Sequence, residues 1–326
     1  MLKVGIVGVG QFGQNHARIL NECSKCDFVG LYDKDTKRAD EIASRLKTKS
    51  FDSFDSLMAE IDVLFNVVTT ISHFELAERA LKKGIYVFIE KPITETLEQA
   101  NKLIKLADEK NLKIQVGHIE RFNPVIIEIE DKVKKPIFME CHRIAPFTPR
   151  GTDIPVVLEL MIHDIDLILS FMESKVKRIS ASGAGVMTKS IDIANARIEF
   201  EDGAVANITA SRISMKRSRQ LRIFQKDAYF SIDFQDKKVK HIKKSKNLYK
   251  VLPKLLMGKY ENIDTEDVVD IVEVTASDHG KDALTIELES FIHAIEAGLN
   301  PIVDGRAGTR ALEVALEIVN KIEKKK

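Results

Sequence analysis

The chain has 326 residues, of which 44% are hydrophobic and 30% charged, with 50 Lys and Arg against 49 Asp and Glu. That length suits two domains better than a single core, and a charge so near balance excludes the basic excess that nucleic-acid or anionic-membrane binding draws on. Three cysteines are too few for a disulfide framework, and Cys23 and Cys26, though spaced C-x-x-C, have no second pair to complete a zinc site, Cys141 standing alone. The pair is expected as ordinary thiols at a helix end, a redox couple being the alternative. No stretch is apolar for long enough to span a bilayer. The nearest, 154–172, is interrupted by Glu159, His163, Asp164 and Asp166. With no signal peptide ahead of the first strand, a cytoplasmic enzyme is expected, with no nucleic-acid or membrane partner.

In chain order, Leu2 to Val7 reads as a strand, Gln11 to Asn21 as a helix, and Asp27 to Tyr32 as a second strand ending at Asp33. Thr36 to Leu46 is a charged helix with Ala39, Ile42, Ala43 and Leu46 on one face. Ile61 to Val68 is a third strand, followed by a helix from Phe74 to Lys83 that Gly84 stops. Ile85 to Ile89 is a buried strand, Leu97 to Lys110 a helix capped by Thr94 or Thr96, and Leu112 to Val116 a further strand. Strands alternating with helices at this spacing predict βαβ units and a doubly wound parallel sheet. Beyond Gly117 the pattern changes. Ile193–Phe200 and Ala204–Ala210 flank the turn signal Glu201-Asp202-Gly203, and Leu221–Gln225 and Tyr229–Phe234 flank another. One helix, 154–171, stands among these strands, and helices over 283–297 and 306–324 close the chain. The expected fold is α/β: a Rossmann domain over 1–119, then an α+β domain over 120–326 with an open, mainly antiparallel sheet, its last helix packing back on the first domain. Lys237 to Lys250 is lysine-rich and Glu261 to Glu273 acidic. A solvated strand and loop with balancing charges is expected, a patch for a phosphate-bearing substrate being the alternative.

Gly8-Val9-Gly10-Gln11-Phe12-Gly13 is G-x-G-x-x-G between a strand and a helix, with Asp33 twenty residues beyond Gly13. Gly8 permits the tight turn, Gly10 lets a pyrophosphate approach the backbone, and Gly13 permits close helix–strand packing. The helix N-terminus offers N–H groups and a partial positive charge to the phosphates. Asp33 suits an adenosine ribose and would repel a 2′-phosphate, favouring NAD over NADP, against which stand Lys34, Lys37 and Arg38. Glu90-Lys91-Pro92 follows the strand ending at Ile89, so Lys91 is delivered to the carboxyl end of the sheet, where a nicotinamide ring would lie.

The segments GVGQFGQNHA, VTTISH, EKPIT, VGHIERFNP and ELMIHDIDL, in this order, resemble the Gfo/Idh/MocA oxidoreductases, and NPIVDGRAGTRALEVA is similar to that family's closing helix. The resemblance implies a Rossmann domain plus a domain on an open antiparallel sheet, and hydride transfer between a nicotinamide and a sugar, cyclitol or related carbon. It places the family lysine on Lys91 and its carboxylate-x-x-x-His pair on Glu159 and His163, where the family usually has Asp at the first position. Spacing of four puts both on one helix face. The residue types also fit the chemistry directly. Oxidising an alcohol needs a base of near-neutral pKa, which His163 supplies, and a cation for the developing alkoxide, which Lys91 supplies. Glu159 would orient the pair or bind a substrate hydroxyl, and no metal is required. The resemblance further implies cofactor contacts at Gln11, Phe12, Thr70 and His73, capping of a helix by Thr70 or Ser72 being the alternative. His16 either approaches the pyrophosphate or packs. Glu90 either binds the nicotinamide ribose or is a strand-end carboxylate. Arg121 and Asn123 either touch substrate or fix the domain junction, and Pro92 is expected to follow a cis bond as in the family.

HIERFNP with ELMIHDIDL is most similar to the family branch that oxidises UDP-N-acetylglucosamine at its 3-hydroxyl, the product passing to an aminotransferase partner for lipid A or surface-glycan synthesis. An inositol or free-sugar dehydrogenase is the alternative within the fold. An NAD-binding regulatory protein without chemistry is the alternative outside it, for which only Glu159 in place of Asp speaks. An open sheet face predicts a homodimer or homotetramer.

Overall fold

The computed structural model describes residues 1–148, 151–258, 263–275 and 281–324. The chain divides into two units, Met1–Phe122 with Gly280–Val314, and Asn123–His279 with Ala315–Lys326. The first unit runs β1 (Leu2–Val7), α1 (Gly13–Glu22), β2 (Cys26–Tyr32), α2 (Thr36–Leu46), β3 (Lys49–Ser50), α3 (Phe54–Met58), β4 (Val63–Asn66), α4 (Thr70–Lys82), β5 (Tyr86–Glu90), α5 (Leu97–Glu109) and β6 (Ile114–Gly117). Its strands form one parallel sheet in the order β3-β2-β1-β4-β5-β6. Both faces are covered, so the central strands are continuous apolar runs. Val4, Ile6, Val63, Leu64, Phe65, Val87 and Phe88 are fully buried. The strand order reverses between β1 and β4, and ligands of such sheets bind beyond the carboxyl ends of the strands at that point.

Local chemistry corrects several sequence boundaries. β3 and α3 occupy an interval that periodicity left unassigned, because two residues of edge strand and five of helix carry no readable period. α3 forms through a Ser53–Ser56 capping box. Helix α4 starts at Thr70, one turn earlier than the pattern implies, with Thr69 before it and no side-chain cap, so neither Thr70 nor Ser72 caps it. Thr96, and not Thr94, caps α5, its hydroxyl accepting from the Gln99 N–H.

The second unit follows a 3-10 turn (Ile119–Phe122) and contains α6 (Pro124–Ile127), β7 (Phe138–Ile144), a π-helical turn (Val157–Met161) that continues into α7 (Ile162–Phe171), β8 (Val176–Ala184), β9 (Ile193–Phe200), β10 (Val205–Ser211), β11 (Ser218–Gln225), β12 (Ala228–Asp233), β13 (Lys238–Lys244), α8 (Leu248–Leu256), α9 (Thr265–Val268) and β14 (Val269–Thr275). The eight strands lie in the order β14-β13-β12-β11-β7-β10-β9-β8. All neighbours are antiparallel except β7 and β10, which are parallel. Gly203 closes the β9–β10 hairpin at φ 89, and Asp227 turns β11 into β12 at φ 69. Strand β7 alternates strictly, with Met139, Cys141 and Arg143 buried and Phe138, Glu140, His142 and Ile144 on the other face. The π turn and α7 pack on β10, and α7 also on β7. The single helix expected over 154–171 therefore begins later, at Val157, and begins in π geometry. The lysine-rich run is not a strand and loop throughout, for α8 starts at Leu248. The acidic run, whose first residue Glu261 lies outside the described residues, supplies β14. There Glu273 faces Lys240 across the ladder at 3.5 Å and Asp270 faces Lys243.

Two helices close the chain, α10 (Ala283–Glu296) and α11 (Gly305–Glu323). Leu288, Phe291 and Ile292 of α10 join the first unit's core with Val4, Phe65 and Phe88. The start of α11 lies close on β6, where a Cβ at Gly308 would sit 2.5 Å from a Val116 methyl. Ile322, near the end of α11, meets Gly183 of β8 in the second unit. Among the described residues no helix is long and apolar enough to cross a membrane.

Candidate active site

The glycine loop lies at the carboxyl end of β1, beside the loop that follows β4. Gly8 holds φ 88, and a Cβ there would stand 2.7 Å from the Val67 carbonyl oxygen. A Cβ on Gly13 would stand 1.9 Å from the Gly8 carbonyl oxygen. Gly10 differs, for a Cβ there meets nothing within 4 Å. No side chain caps α1, and its first turn carries no acidic residue. Gln11 and Phe12 are exposed at its start. Two glycines therefore close the turn on itself, and the third leaves a cradle beside a helix N-terminus, which fits a pyrophosphate. Opposite outcomes are expected from alanine at the two kinds of position. Gly13→Ala overpacks the turn and is expected to destabilise by about 1–3 kcal/mol. Gly10→Ala is expected to leave the thermal midpoint unchanged and to weaken binding of a nicotinamide dinucleotide by about tenfold or more, since the same overpacking then falls on the ligand. Thermal melts and calorimetric titrations of both variants with NAD and with NADP check this.

Asp33, at the end of β2, is buried. Its Oδ2 accepts from the Val9 N–H at 2.8 Å and its Oδ1 from the Asp35 N–H at 2.9 Å. Each oxygen keeps a second lone pair for a ribose hydroxyl. Arg38 approaches to 4.0 Å but is held by Asp35 at 2.9 Å. Thr70 is half-buried at the start of α4. His73 is buried one turn on, with Nδ1 2.9 Å from the Pro92 carbonyl and Nε2 3.2 Å from that of Val68. Burial pushes its pKa down, against the pull of the two carbonyls. Asn66, buried at the end of β4, donates to the His73 carbonyl at 3.0 Å. His73 thus ties the loop after β4 to the loop after β5.

Glu90 ends β5 and turns its carboxylate inward. Oε1 lies 3.0 Å from His16 Nε2, Oε2 accepts from the Lys91 N–H at 3.0 Å, and a Cβ on Gly117 of β6 would meet the carboxylate at 2.9 Å. Burial alone would raise its pKa, but His16, the Lys91 charge and the Lys91 N–H outweigh that and hold it below the usual range. His16 is itself buried, its other nitrogen 3.1 Å from the Phe12 carbonyl, so of its two expected positions the structure shows the packed one. Lys91 follows, half-buried, with its backbone held by Glu90 and a cis bond to Pro92. Arg121 is half-buried in the 3-10 turn. Cys26 is buried and its thiol is pushed up to about 12, first by burial and then by Cys23, which removes it from thiolate chemistry near neutrality.

In the second unit Asn123 caps α6, its side chain accepting from the Val125 N–H at 3.3 Å. Glu159 sits in the π turn and His163 in the first turn of α7, both half-buried. Next to His163, Asp164 forms a buried bidentate pair with Arg143 of β7, with contacts of 2.9 Å from Nε and 2.7 Å from a terminal nitrogen. The Glu159 carboxylate meets Arg212, at the end of β10, at 2.9 Å. Arg212 in turn meets Asp192, which is fully buried, at 2.9 Å. Asp192 also accepts from the N–H groups of Val186, Met187 and Thr188 and from the Thr188 hydroxyl. Those bonds and Arg212 hold its pKa well below the carboxylate range in spite of burial. Sequence reasoning singled out neither Asp192 nor Arg212. The only cue was a charged residue at the end of a strand, which does not reveal a partner.

A family model described as an oxidoreductase family with an NAD-binding Rossmann fold matches residues 2–118, and the model of the GFO/IDH/MocA C-terminal domain matches residues 147–231. The chain is 34% identical to the UDP-N-acetylglucosamine 3-dehydrogenase of Acidithiobacillus ferrooxidans over 97% of this chain and 96% of that one. A solved structure of the same enzyme superposes with a TM-score of 0.89, covering 99% of this chain and 98% of that one at 34% identity. The scyllo-inositol 2-dehydrogenase of Bacillus subtilis is 23% identical over 98% of this chain and 93% of its own length. A Clostridium difficile dehydrogenase structure at 20% identity, with a TM-score of 0.82 over 98% of this chain and 99% of that one, shares the fold.

Proposed function

The chain belongs to the Gfo/Idh/MocA family of oxidoreductases, acting on CH–OH groups, and we propose that its reaction is oxidation of the 3-hydroxyl of UDP-N-acetylglucosamine to the 3-keto sugar nucleotide with NAD as acceptor. The observation that carries the substrate is the 34% identity to a relative of that name over 97% of the chain, against 23% to an inositol dehydrogenase over a similar span.

The glycine loop and the start of α1 would hold the pyrophosphate, and Asp33 the adenosine ribose, with Thr70, His73 and Glu90 shaping the remaining wall. NAD, when bound, accepts the hydride that leaves the carbinol carbon. His163 takes the hydroxyl proton, Lys91 stabilises the alkoxide as it forms, and Glu159 orients the sugar or binds a second hydroxyl. Arg121 serves the substrate end, whereas the capping bond of Asn123 favours a structural part for that residue. The Asp33 carboxylate, already facing Arg38 and the Val9 N–H, would repel a 2′-phosphate, so NAD is the proposed partner. An aminotransferase acting on the 3-keto product would draw an unfavourable equilibrium forward. The chain is proposed to act in the cytoplasm as a homodimer or homotetramer, through the sheet face that carries Phe138, Phe224 and Tyr229, where the last two rings stack at 4.5 Å.

A substrate screen tests the proposal. NADH formation is expected with UDP-N-acetylglucosamine, strengthened by a 3-keto-sugar aminotransferase and its amino donor, and not with myo-inositol. The reverse outcome rejects the sugar nucleotide. Equal turnover with NADP at equal concentration rejects the cofactor preference.

A further inference from the structure

Arg212 is 4% exposed, yet five acceptors surround its guanidinium within hydrogen-bond distance. Nε donates to Asp192 Oδ1 at 2.9 Å and one terminal nitrogen to the Ile191 carbonyl at 3.2 Å. The other terminal nitrogen shares its two N–H groups among the carbonyls of Gly151 at 2.6 Å and Ile154 at 2.7 Å and Glu159 Oε2 at 2.9 Å. Four of the five acceptors belong to residues other than Glu159. They fix the guanidinium from two sides, the 186–192 turn and the 151–154 loop. Asp192 is itself fixed by three backbone N–H groups and a hydroxyl. Glu159 therefore reaches a cation that cannot follow it. Its second oxygen is walled by Gly151, where a Cβ would lie 2.8 Å from Oε1 and φ is 65. Glu159 is also the least buried member of the chain of three, its side chain 28% exposed against 5% for Arg212 and 0% for Asp192.

We infer that Arg212 is a positioning residue for the reaction. Anchored by Asp192, it holds the Glu159 carboxylate at one place and in one orientation. The inference rests on the part proposed above for Glu159 in the reaction. A carboxylate held by a directed bond from a fixed guanidinium loses less freedom on binding substrate than one on a mobile glutamate. The length of the side chain matters for the same reason. Aspartate at 159 is shorter by one carbon–carbon bond, about 1.5 Å, which would leave it beyond hydrogen-bond reach of a guanidinium that four other acceptors keep in place.

The test is a double-mutant cycle in the full-length enzyme, with NAD and the alcohol that the wild type oxidises in the screen. R212Q is expected to lower kcat by about 10–100-fold, the scale of a misplaced active-site group, with KM for NAD unchanged. E159Q is expected to lower it by a comparable factor, and E159Q with R212Q to be no slower than E159Q alone, because both changes remove one interaction. R212K, which keeps the charge facing Asp192 but not the fork, is expected to fall between wild type and R212Q. It carries the test should R212Q fail to fold. A purely structural Arg212 would lower the melting temperature while leaving kcat per folded molecule at the wild-type value, or would act additively with E159Q. Either outcome overturns the inference. Wild-type turnover in E159Q instead rejects the part given to Glu159, whereas a slow E159Q beside a wild-type R212Q rejects only the role of Arg212.

Discussion

Lys91→Ala is expected to lower kcat by about two to three orders of magnitude, the usual effect of deleting one donor to a developing oxyanion. Because the alkoxide exists only as the carbon–hydrogen bond breaks, kcat and kcat/KM should fall together, with KM for the sugar little changed. The backbone around Lys91 is arranged for a fixed delivery. Its N–H is held by Glu90, whose carboxylate is in turn held by His16, and the carbonyl of Pro92 is held by His73. The Lys91 side chain contributes its charge to keeping Glu90 ionised, whereas the backbone anchors do not need it, so the alanine variant is expected to melt somewhat below the wild type and to bind NAD with nearly unchanged affinity, kcat being compared per folded molecule. Lys91→Arg keeps the charge but replaces a compact ammonium by a planar fork, so only partial activity is expected. Steady-state kinetics with calorimetric NAD binding checks each point. A raised KM at wild-type kcat would assign Lys91 to uniform binding and remove it from the chemical step.

The sequence made the first sheet readable because its signals are short-range. A Gly8-x-Gly10-x-x-Gly13 turn between a strand and a helix has one common use, and Asp33 and Lys91 follow from where the next strands end. The second sheet was less readable because its decisive pairing is not local. β7 and β10 lie parallel although 60 residues of turn, helix and two other strands separate their ends, and no hairpin signal marks such a pair. The π turn was hidden for a different reason. Over the five residues Val157–Met161 the apolar spacings of α and π helices overlap, so the pattern announced a helix and not its geometry. Asn123 was legible only in part. An Asn-Pro step is a capping signal in its own right, and weighing substrate contact against the domain junction passed over the cap that its side chain makes on α6. Asp192 and Arg212 were not legible at all, since a buried ion pair is specified by tertiary neighbours that sequence spacing does not reveal.

Asp164→Ala is expected to destabilise the protein by about 3–5 kcal/mol, because it leaves the Arg143 guanidinium buried without its carboxylate. That is a large share of the roughly 5–15 kcal/mol by which domains are stable, and it should appear as a lower urea midpoint at unchanged slope. The two side chains are each 4% exposed, so little solvent is at hand to replace the lost partner. Given the part proposed for His163, the pair also bears on the chemistry. Consecutive residues of an α-helix project about 100° apart, so once Asp164 is bound to β7 the direction of His163 is fixed by the roll of α7. Arg143→Met combined with Asp164→Leu removes both charges and fills the space, and such replacements are commonly neutral or stabilising. Stability in the double variant is therefore expected to recover to within about 1–2 kcal/mol of wild type, while kcat stays below the wild-type value, because an apolar contact sets the roll of α7 less sharply than a bidentate pair. Recovery of both quantities would show that packing alone directs His163, and that the ion pair can be exchanged without consequence for the reaction.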